Sequence, residues 1–251
     1  MSREIRTHTV HMYAREAVAE LRKLARSPQF LVPTLILPVG SFAVSASFGT
    51  AGRQHAVLTM MAAFSVMAAL GPALFGFGSG VAMEREAGLL DLKRVSPLPA
   101  TAYLAARLAA CIAAAAMSIC GILVIGALHH DGLVWWRWPL FVAVGASSAV
   151  PFTLVGMTVG LRMSAQAATA TSNVLLIAFT AVGGMLIPIN ALPAWLASVS
   201  ELLPTIHFGR LALAVLGERG AGFGAVDVIS VLAFTSVFGV TAIRGWHRSV
   251  A

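Results

Sequence analysis

Charged residues are scarce in this sequence. Asp, Glu, Lys and Arg make up 11% of the 251 residues, whereas soluble globular domains carry about 25%. Hydrophobic residues make up 58%, and the mean hydropathy is +0.85. A chain of this composition cannot cover its surface with water-soluble groups. The composition therefore excludes a soluble protein and predicts an integral membrane protein.

The lysine and cysteine residues are too few, and too unfavourably placed, to form a nucleotide-binding P-loop or a disulfide. Neither of the two lysines, Lys23 and Lys93, follows a glycine, so the Gly-Lys-Ser/Thr of a nucleotide-binding P-loop is absent. Cys111 and Cys120 are nine residues apart in one apolar run and lie about half a turn out of phase on a helix. They cannot pair with each other. We predict no catalytic residue, no metal site and no cofactor in this chain.

Ionisable groups are also missing from the interior of the apolar runs. All ten acidic residues and all seven histidines lie outside these runs or at their ends. A proton-driven transporter usually keeps a carboxylate or a histidine near the membrane midplane, and a serine hydrolase needs a histidine base. The sequence therefore favours neither a proton-driven transporter nor a serine hydrolase. A small secondary transporter that binds an ion through backbone carbonyls stays open.

The main feature of the sequence is a set of six long apolar runs. A helix that spans a bilayer needs about 20 apolar residues, and these runs supply that length or nearly so. The predicted fold class is an all-α membrane protein with six transmembrane helices. An amphipathic interfacial helix at residues 1–26 precedes them, with a solvated tail as the alternative. The predicted spans are about residues 29–48, 57–83, 108–128, 139–161, 164–187 and 227–243.

The cations indicate the orientation of the spans, because Lys and Arg concentrate on the cytoplasmic side. With the N-terminus inside, thirteen of the 17 Lys and Arg residues fall in cytoplasmic segments. Both termini are therefore predicted to be cytoplasmic. The net charge of +7 follows from this topology, so we predict no nucleic-acid partner.

The longest polar interruption separates the second and third predicted spans. It reads Glu84-Arg85-Glu86-Ala87-Gly88-Leu89-Leu90-Asp91-Leu92, and Ser96-Pro97-Leu98-Pro99 follows. Leucines alternate with polar residues, and the prolines forbid a longer helix, so a short amphipathic helix is predicted. Its carboxylates can pair with cations of a partner or with Arg85 and Arg107. The alternative is an ordinary solvated connector.

This loop resembles the cytoplasmic loop of membrane subunits of type-2 ABC exporters. That family shows an ERE-x-G-T-L-E-x-L pattern, then Ser-Pro and a tyrosine, which here is Tyr103. This chain has Leu89 where Thr is common and Asp91 where Glu is common. The length of the chain and its number of spans agree with the resemblance.

The resemblance implies a coupling helix that docks on a separate ABC ATP-binding subunit. That partner would bind Mg-ATP and hydrolyse it, and two copies of this permease would pair as a homodimer in the lipid of a bacterial inner membrane. The residues implied for docking are Glu84, Arg85, Glu86, Gly88, Leu89, Asp91 and Leu92.

Two further segments are candidates for the transport path. Gln166, Thr169, Asn173 and Thr180 fall near one face of the fifth predicted span; they would line a translocation path or supply hydrogen bonds between helices. After that span, residues 188–204 are too broken for a span and too apolar for an exposed loop. We predict a re-entrant outer hairpin there, followed by a Gly-rich loop from 205 to 226. The resemblance makes this hairpin an outer gate, with Pro188, Pro193 and Trp195 as its candidate residues.

These features together predict the permease subunit of an ATP-driven exporter. The scarcity of charge near the predicted path favours an apolar or amphipathic substrate, such as a drug, an antibiotic or a lipid-like molecule. The alternatives are a membrane scaffold or assembly subunit that holds an ATPase without transporting, and the small secondary transporter.

Overall fold

The structure of the protein is a computed structural model that describes residues 18–20, 22, 26, 32–49, 54–90, 100–130, 133–185, 192–218 and 222–250. Within these ranges every regular element is helical, which confirms the predicted all-α fold. Most of the predicted interfacial helix and residues 91–99 lie outside the described residues. The α-helices are α1 (Leu37–Gly49), α2 (Gln54–Ala73), α3 (Gly80–Glu86), α4 (Ala100–His129), α5 (Trp138–Ser147), α6 (Ala149–Gly160), α7 (Ala165–Val182), α8 (Ala194–Ser200), α9 (Pro204–Leu216) and α10 (Ala225–Val250).

Five helical stretches are long and apolar enough to cross a membrane, and they match the second to sixth predicted spans. In the described part of the first predicted span, the apolar helix is shorter and covers Thr34–Ser47. The pair α8 and α9 is bent by 74° and would make one more span only if it crossed as a unit. The five long stretches are Ala56–Glu86, Leu104–His129, Trp135–Gly160, Ala165–Val182 and Ala225–Gly245.

The directions of the helices show that α8 and α9 do not cross as a unit. Gly239 of α10 lies against Leu154 of α6, and Gly245 lies against Leu161 just beyond α6, so α6 and α10 run in the same direction. Helix α7, which lies between them in the chain, runs in the opposite direction. The chain therefore leaves α7 and enters α10 at the same end of the bundle, so the bent pair returns to the end from which it starts. It covers residues 194–216 and not the predicted 188–204.

We name the two ends of the bundle after the orientation that the cations predict. The inner end holds residues 84–90 and 161–165. The outer end holds the last turn of α7 and the first turn of α10.

Helix α9 occupies a segment that the sequence analysis placed in a loop. Residues 205 to 216 are helical, and only the residues after them form a connection. Pro204 occupies the first turn of α9, where its missing N–H costs nothing, and Gly217 ends the helix with φ 92°. The prediction was wrong because we took Pro204 as the end of a helix and not as its start. His207, predicted to lie outside the spans, is consequently buried in the bundle.

The second span changes its helical geometry midway. A π-helical segment (Leu74–Ser79) separates α2 from α3. It follows Pro72 inside α2, whose lack of an N–H already weakens the backbone hydrogen-bond ladder there. The segment is rich in glycine, with Gly76 and Gly78 at alternate positions, which leaves backbone surface open to a neighbouring helix.

Helix α6 packs on this segment through its own glycines. A Cβ atom added to Gly156 would lie 2.6 Å from the carbonyl oxygen of Ala73, and one added to Gly160 would lie 2.6 Å from that of Gly78. The backbones are therefore in direct contact, which confirms the close packing predicted from the small-xxx-small spacing of the two glycines.

We expect Gly156→Ala to destabilise the protein by about 1–3 kcal/mol, because its methyl group overpacks a backbone contact. The matched control is Gly209→Ala in α9, where an added Cβ meets nothing within 4 Å and a helical alanine gains about 0.5–1 kcal/mol over glycine. Reversible unfolding in mixed detergent–SDS micelles measures both. An equal change in the stability of the two variants would contradict the backbone contact at Gly156.

Candidate functional site

The inner end of the second span carries the acidic and basic residues that the sequence singled out. Glu84 is 4% exposed and accepts a hydrogen bond of 2.8 Å from Nη1 of Arg107. Arg107 belongs to the third span and is 1% exposed. This ion pair is one of the alternatives predicted for the carboxylates, and it joins two spans inside the protein.

Arg107 is held by more than one acceptor. Its Nε and Nη2 atoms donate to the carbonyl oxygen of Gly76 at 2.9 and 2.5 Å. The ring of Phe77 lies 5.8 Å from its Cζ atom, and a carboxylate oxygen of Glu20 lies 3.9 Å from Nη1. Since a buried guanidinium is costly unless its donors are satisfied, the π-helical segment and the two carboxylates together make this position tolerable.

The Gly76 carbonyl belongs to the π-helical segment. Side chains of neighbouring helices contact two further carbonyls close to it. Ser172 of α7 donates to the carbonyl of Leu74 at 3.1 Å, and the thiol of Cys111 lies 3.2 Å from the carbonyl oxygen of Pro72. The sequence analysis treated Cys111 only as a packing residue and did not single out Ser172. Pro72 and the glycines of the second span, which lie opposite Cys111 and Ser172, were the sequence features that could have indicated both contacts.

Arg85 and Glu86 bind the turn between the fourth and fifth spans. Arg85 donates through Nη1 to the carbonyl of Leu161 and through Nη2, at 2.5 Å, to that of Met163. Glu86 accepts a hydrogen bond of 2.8 Å from the backbone N–H of Ala165, the first residue of α7. A carboxylate is well placed at a helix N-terminus, where backbone N–H groups lack partners.

The chain turns away from the bundle just beyond these residues. Gly88 has φ 69°, a conformation that other residues adopt at a cost, and it ends the second span. Leu89 is then 43% exposed, whereas Leu90 is 8% exposed.

The residues predicted for docking thus separate into groups. Glu84, Arg85 and Glu86 bind their own chain, Gly88 forms the turn, and Leu89 presents an apolar side chain outward. Asp91 and Leu92 lie outside the described residues.

The polar residues predicted for the fifth span lie on one side of α7, but they are not equally exposed. Gln166 and Asn173 are exposed and Thr169 is half-buried, whereas the neighbouring Ser172 is buried. Thr180 is 3% exposed and donates to the carbonyl of Leu176 at 2.8 Å.

At the outer end, Pro193 precedes the first residue of α8 and Trp195 is 70% exposed. Pro188 lies outside the described residues. In the part of the chain that the structure describes, no three His, Cys, Asp or Glu residues are grouped as metal ligands would be.

We expect Arg107→Met to destabilise the protein by about 3–5 kcal/mol, because it leaves two buried carboxylates without the cation that neutralises them. Adding Glu84→Gln to this variant should cost less than the sum of the two single changes. Unfolding in mixed micelles gives the double-mutant cycle. Arg244→Met, which removes an exposed cation, serves as the control and should stay within about 0.5 kcal/mol; a cycle with purely additive effects would argue against the ion pair.

Comparisons with known proteins agree with this architecture. Residues 17–216 match the family model described as ABC-2 type transporter. The chain is also 26% identical over 240 residues to a protein of Bacillus subtilis (strain 168) named "Putative transport permease YvfS", an alignment that includes 91% of this chain and 94% of that protein. Because the family match extends over most of the chain, from the N-terminal segment to the end of α9, the chain belongs to the ABC-2 type transporter family and is one of its membrane-embedded permeases.

Proposed function

We propose that this permease exports an apolar or amphipathic substrate, such as a drug, an antibiotic or a lipid-like molecule, and that a separate ABC ATP-binding subunit drives it with Mg-ATP. Membership of the family implies such an ATP-binding partner. The proposal places the protein in a bacterial inner membrane with both termini in the cytoplasm.

The contacts at the inner end of the second span are the observation that carries the proposal. Glu84 joins this end to the third span through Arg107, while Arg85 and Glu86 join it to the turn before the fifth span. A displacement of residues 87–99 by a partner would therefore reach three spans through hydrogen bonds and ion pairs. Hydrogen bonds and salt bridges that connect rigid elements can carry coupling between distant sites.

These contacts refine the role of the docking residues. Glu84, Arg85 and Glu86 transmit the movement within the chain, and Gly88 directs the chain outward. Leu89, with Asp91 and Leu92 beyond it, meets the partner. An exposed leucine at the tip of a turn is a suitable apolar anchor, because a few buried anchors dominate the energy of a protein interface.

The fifth span supports a path between two copies of the permease. Gln166 and Asn173 are exposed on a flank of α7 that also holds the half-buried Thr169, and polar side chains in a membrane face protein or water in preference to lipid. In the proposed homodimer this flank would face the second copy across the path. Pro193 and Trp195 of the re-entrant hairpin would close the path at the outer end.

ATP-dependent movement of a dye tests the proposed activity. The permease is reconstituted in liposomes with its partner ATPase, and rhodamine 6G serves as an amphipathic probe. We expect the probe to move from the side that carries the ATPase to the opposite side only when Mg-ATP is present. Movement that continues without ATP would favour a secondary transporter, and ATPase binding without any movement would favour a scaffold.

Leu89→Glu should weaken binding of the partner ATPase by about tenfold, the effect of about 1.4 kcal/mol, because it places a charge where an apolar anchor is expected. The control is Leu128→Glu, which changes a leucine that is 79% exposed at the opposite end of the third span. Titration of the detergent-solubilised permease with the ATPase measures both affinities. Equal affinities of the two variants would show that Leu89 does not contribute to the interface.

A further inference from the structure

A group of four ionisable side chains meets at the outer end of the bundle. His207 and Arg210 belong to α9, Glu201 lies in the bend between α8 and α9, and Asp227 lies in the first turn of α10. The side chains of His207 and Asp227 are 1% and 3% exposed. The transmission of force from the ATPase, as proposed above, does not use any of them.

Both ring nitrogens of His207 lie within hydrogen-bond distance of an oxygen atom. Nδ1 lies 2.6 Å from Oδ1 of Asp227, and Nε2 lies 2.9 Å from the backbone carbonyl oxygen of Glu201. A carbonyl oxygen can only accept a hydrogen bond, and a neutral imidazole has a single N–H. If Asp227 is ionised, both ring nitrogens face acceptors, and only the imidazolium satisfies them.

The other contacts of Asp227 favour the ionised form of its carboxyl group. Oδ1 also accepts a hydrogen bond of 3.1 Å from Arg210, and Oδ2 accepts one of 2.7 Å from the backbone N–H of Gly224. Each carboxyl oxygen therefore receives an N–H donor from a group other than the histidine. Because Arg210 carries a permanent positive charge, it favours a carboxylate at Asp227, and the proton between Oδ1 and Nδ1 is then assigned to the imidazole.

The charges of this group balance one another. His207 and Arg210 carry positive charges, and Asp227 and Glu201 carry negative ones; Arg210 binds both carboxylates. Helix α9 packs against α2, α5 and α10. The described side chains of α2 and α5 include no titratable group, and α10 contributes only Asp227 at this end. Arg137 also contacts α9, at the carbonyl of Val215 near the end of the helix. The groups that contact His207 directly or through Asp227 are Glu201, Asp227 and Arg210.

We propose that His207, as an imidazolium, is the positioning residue that fastens the re-entrant helix α9 to the start of α10. The link exists while both ring nitrogens hold a proton. As the pH rises and the ring loses one, a nitrogen lone pair faces an acceptor oxygen in a buried site, and the link is lost. On the proposed function, which this step assumes, outer opening of the path becomes easier as the external pH rises.

Nitrogen NMR of the imidazole rings tests the charge of His207 without any transport. The full chain, with ¹⁵N-labelled histidine, is embedded in lipid nanodiscs, and His207→Gln identifies the signals of His207 by their loss. At pH 7 we expect both nitrogens of His207 to be protonated, because each one faces an acceptor oxygen. The ring of His129, which is exposed, provides reference signals under the same conditions. A neutral ring at position 207 would overturn the proposal.

Asp227→Asn provides a second test that does not depend on the folding of His207→Gln. Replacing the carboxylate by an amide removes the charge that accepts from Nδ1, so the signals of the remaining His207 should change to those of a neutral ring at pH 7. Unchanged imidazolium signals in this variant would show that Asp227 does not hold the charge.

A pH profile of export tests the consequence for transport. In the liposome system with rhodamine 6G, only the pH on the outer side is varied, from 6 to 8.5. We expect the wild-type rate to rise by about fivefold, the lower range of typical coupling between sites, and His207→Gln to be fast at every pH. His129→Gln should keep the wild-type profile.

The outcomes separate the two proposals. A wild-type profile identical to that of His207→Gln would overturn the role of His207 in gating. A wild-type protein without ATP-driven movement would overturn the proposed export, while the NMR result would still decide whether His207 carries the link.

Discussion

A guanidinium group buried among apolar helices is the constraint on which the inner half of this protein depends. Arg107 cannot lose its proton, and its burial at 1% exposure requires acceptors from the surrounding chain. Glu84 supplies one, and the Gly76 carbonyl supplies another. That carbonyl belongs to the π-helical segment of the second span, and Ser172 donates to the carbonyl of Leu74 in the same segment. One irregular segment therefore receives donors from both the third and the fifth span.

Side-chain contacts connect neighbouring helices at both ends of the bundle, but the two sets of contacts differ in chemistry. At the inner end, arginine and glutamate side chains connect the second span to its neighbours. At the outer end, a histidine occupies the central position between α9 and α10. We have proposed that the inner contacts transmit a movement and that the outer contact depends on the protonation of His207.

The sequence was sufficient to predict the elements of the fold, because the length of an apolar run and the spacing of glycines are local properties. Five spans and the contact through Gly156 and Gly160 were predicted in this way. The sequence was not sufficient where the outcome depends on neighbours. Ser172 and Asn173 are adjacent in the chain, yet only the packing of α7 decides that the serine faces the bundle and the asparagine does not. Likewise, a proline such as Pro204 can end one helix or begin the next.

The same limit explains the acidic and basic residues before Gly88. Their pattern resembles a docking motif, and the sequence left open whether their carboxylates pair with cations of a partner or with Arg85 and Arg107. The structure shows Glu84 turned inward, and its exposure of 4% depends on Arg107, which lies 23 residues away. No local pattern specifies that a charge at the end of a span will be buried, although an arginine at the start of the next span was a possible partner.

The position of this ion pair also has a consequence for the biogenesis of the protein. Glu84 and Arg107 belong to one helical hairpin, formed by the second and third spans. An arginine that enters a bilayer alone costs about 3 kcal/mol at the centre of a helix, but here the nascent hairpin contains its own counter-ion before the later spans have left the ribosome. The hairpin can therefore enter the lipid with its buried arginine already neutralised by Glu84.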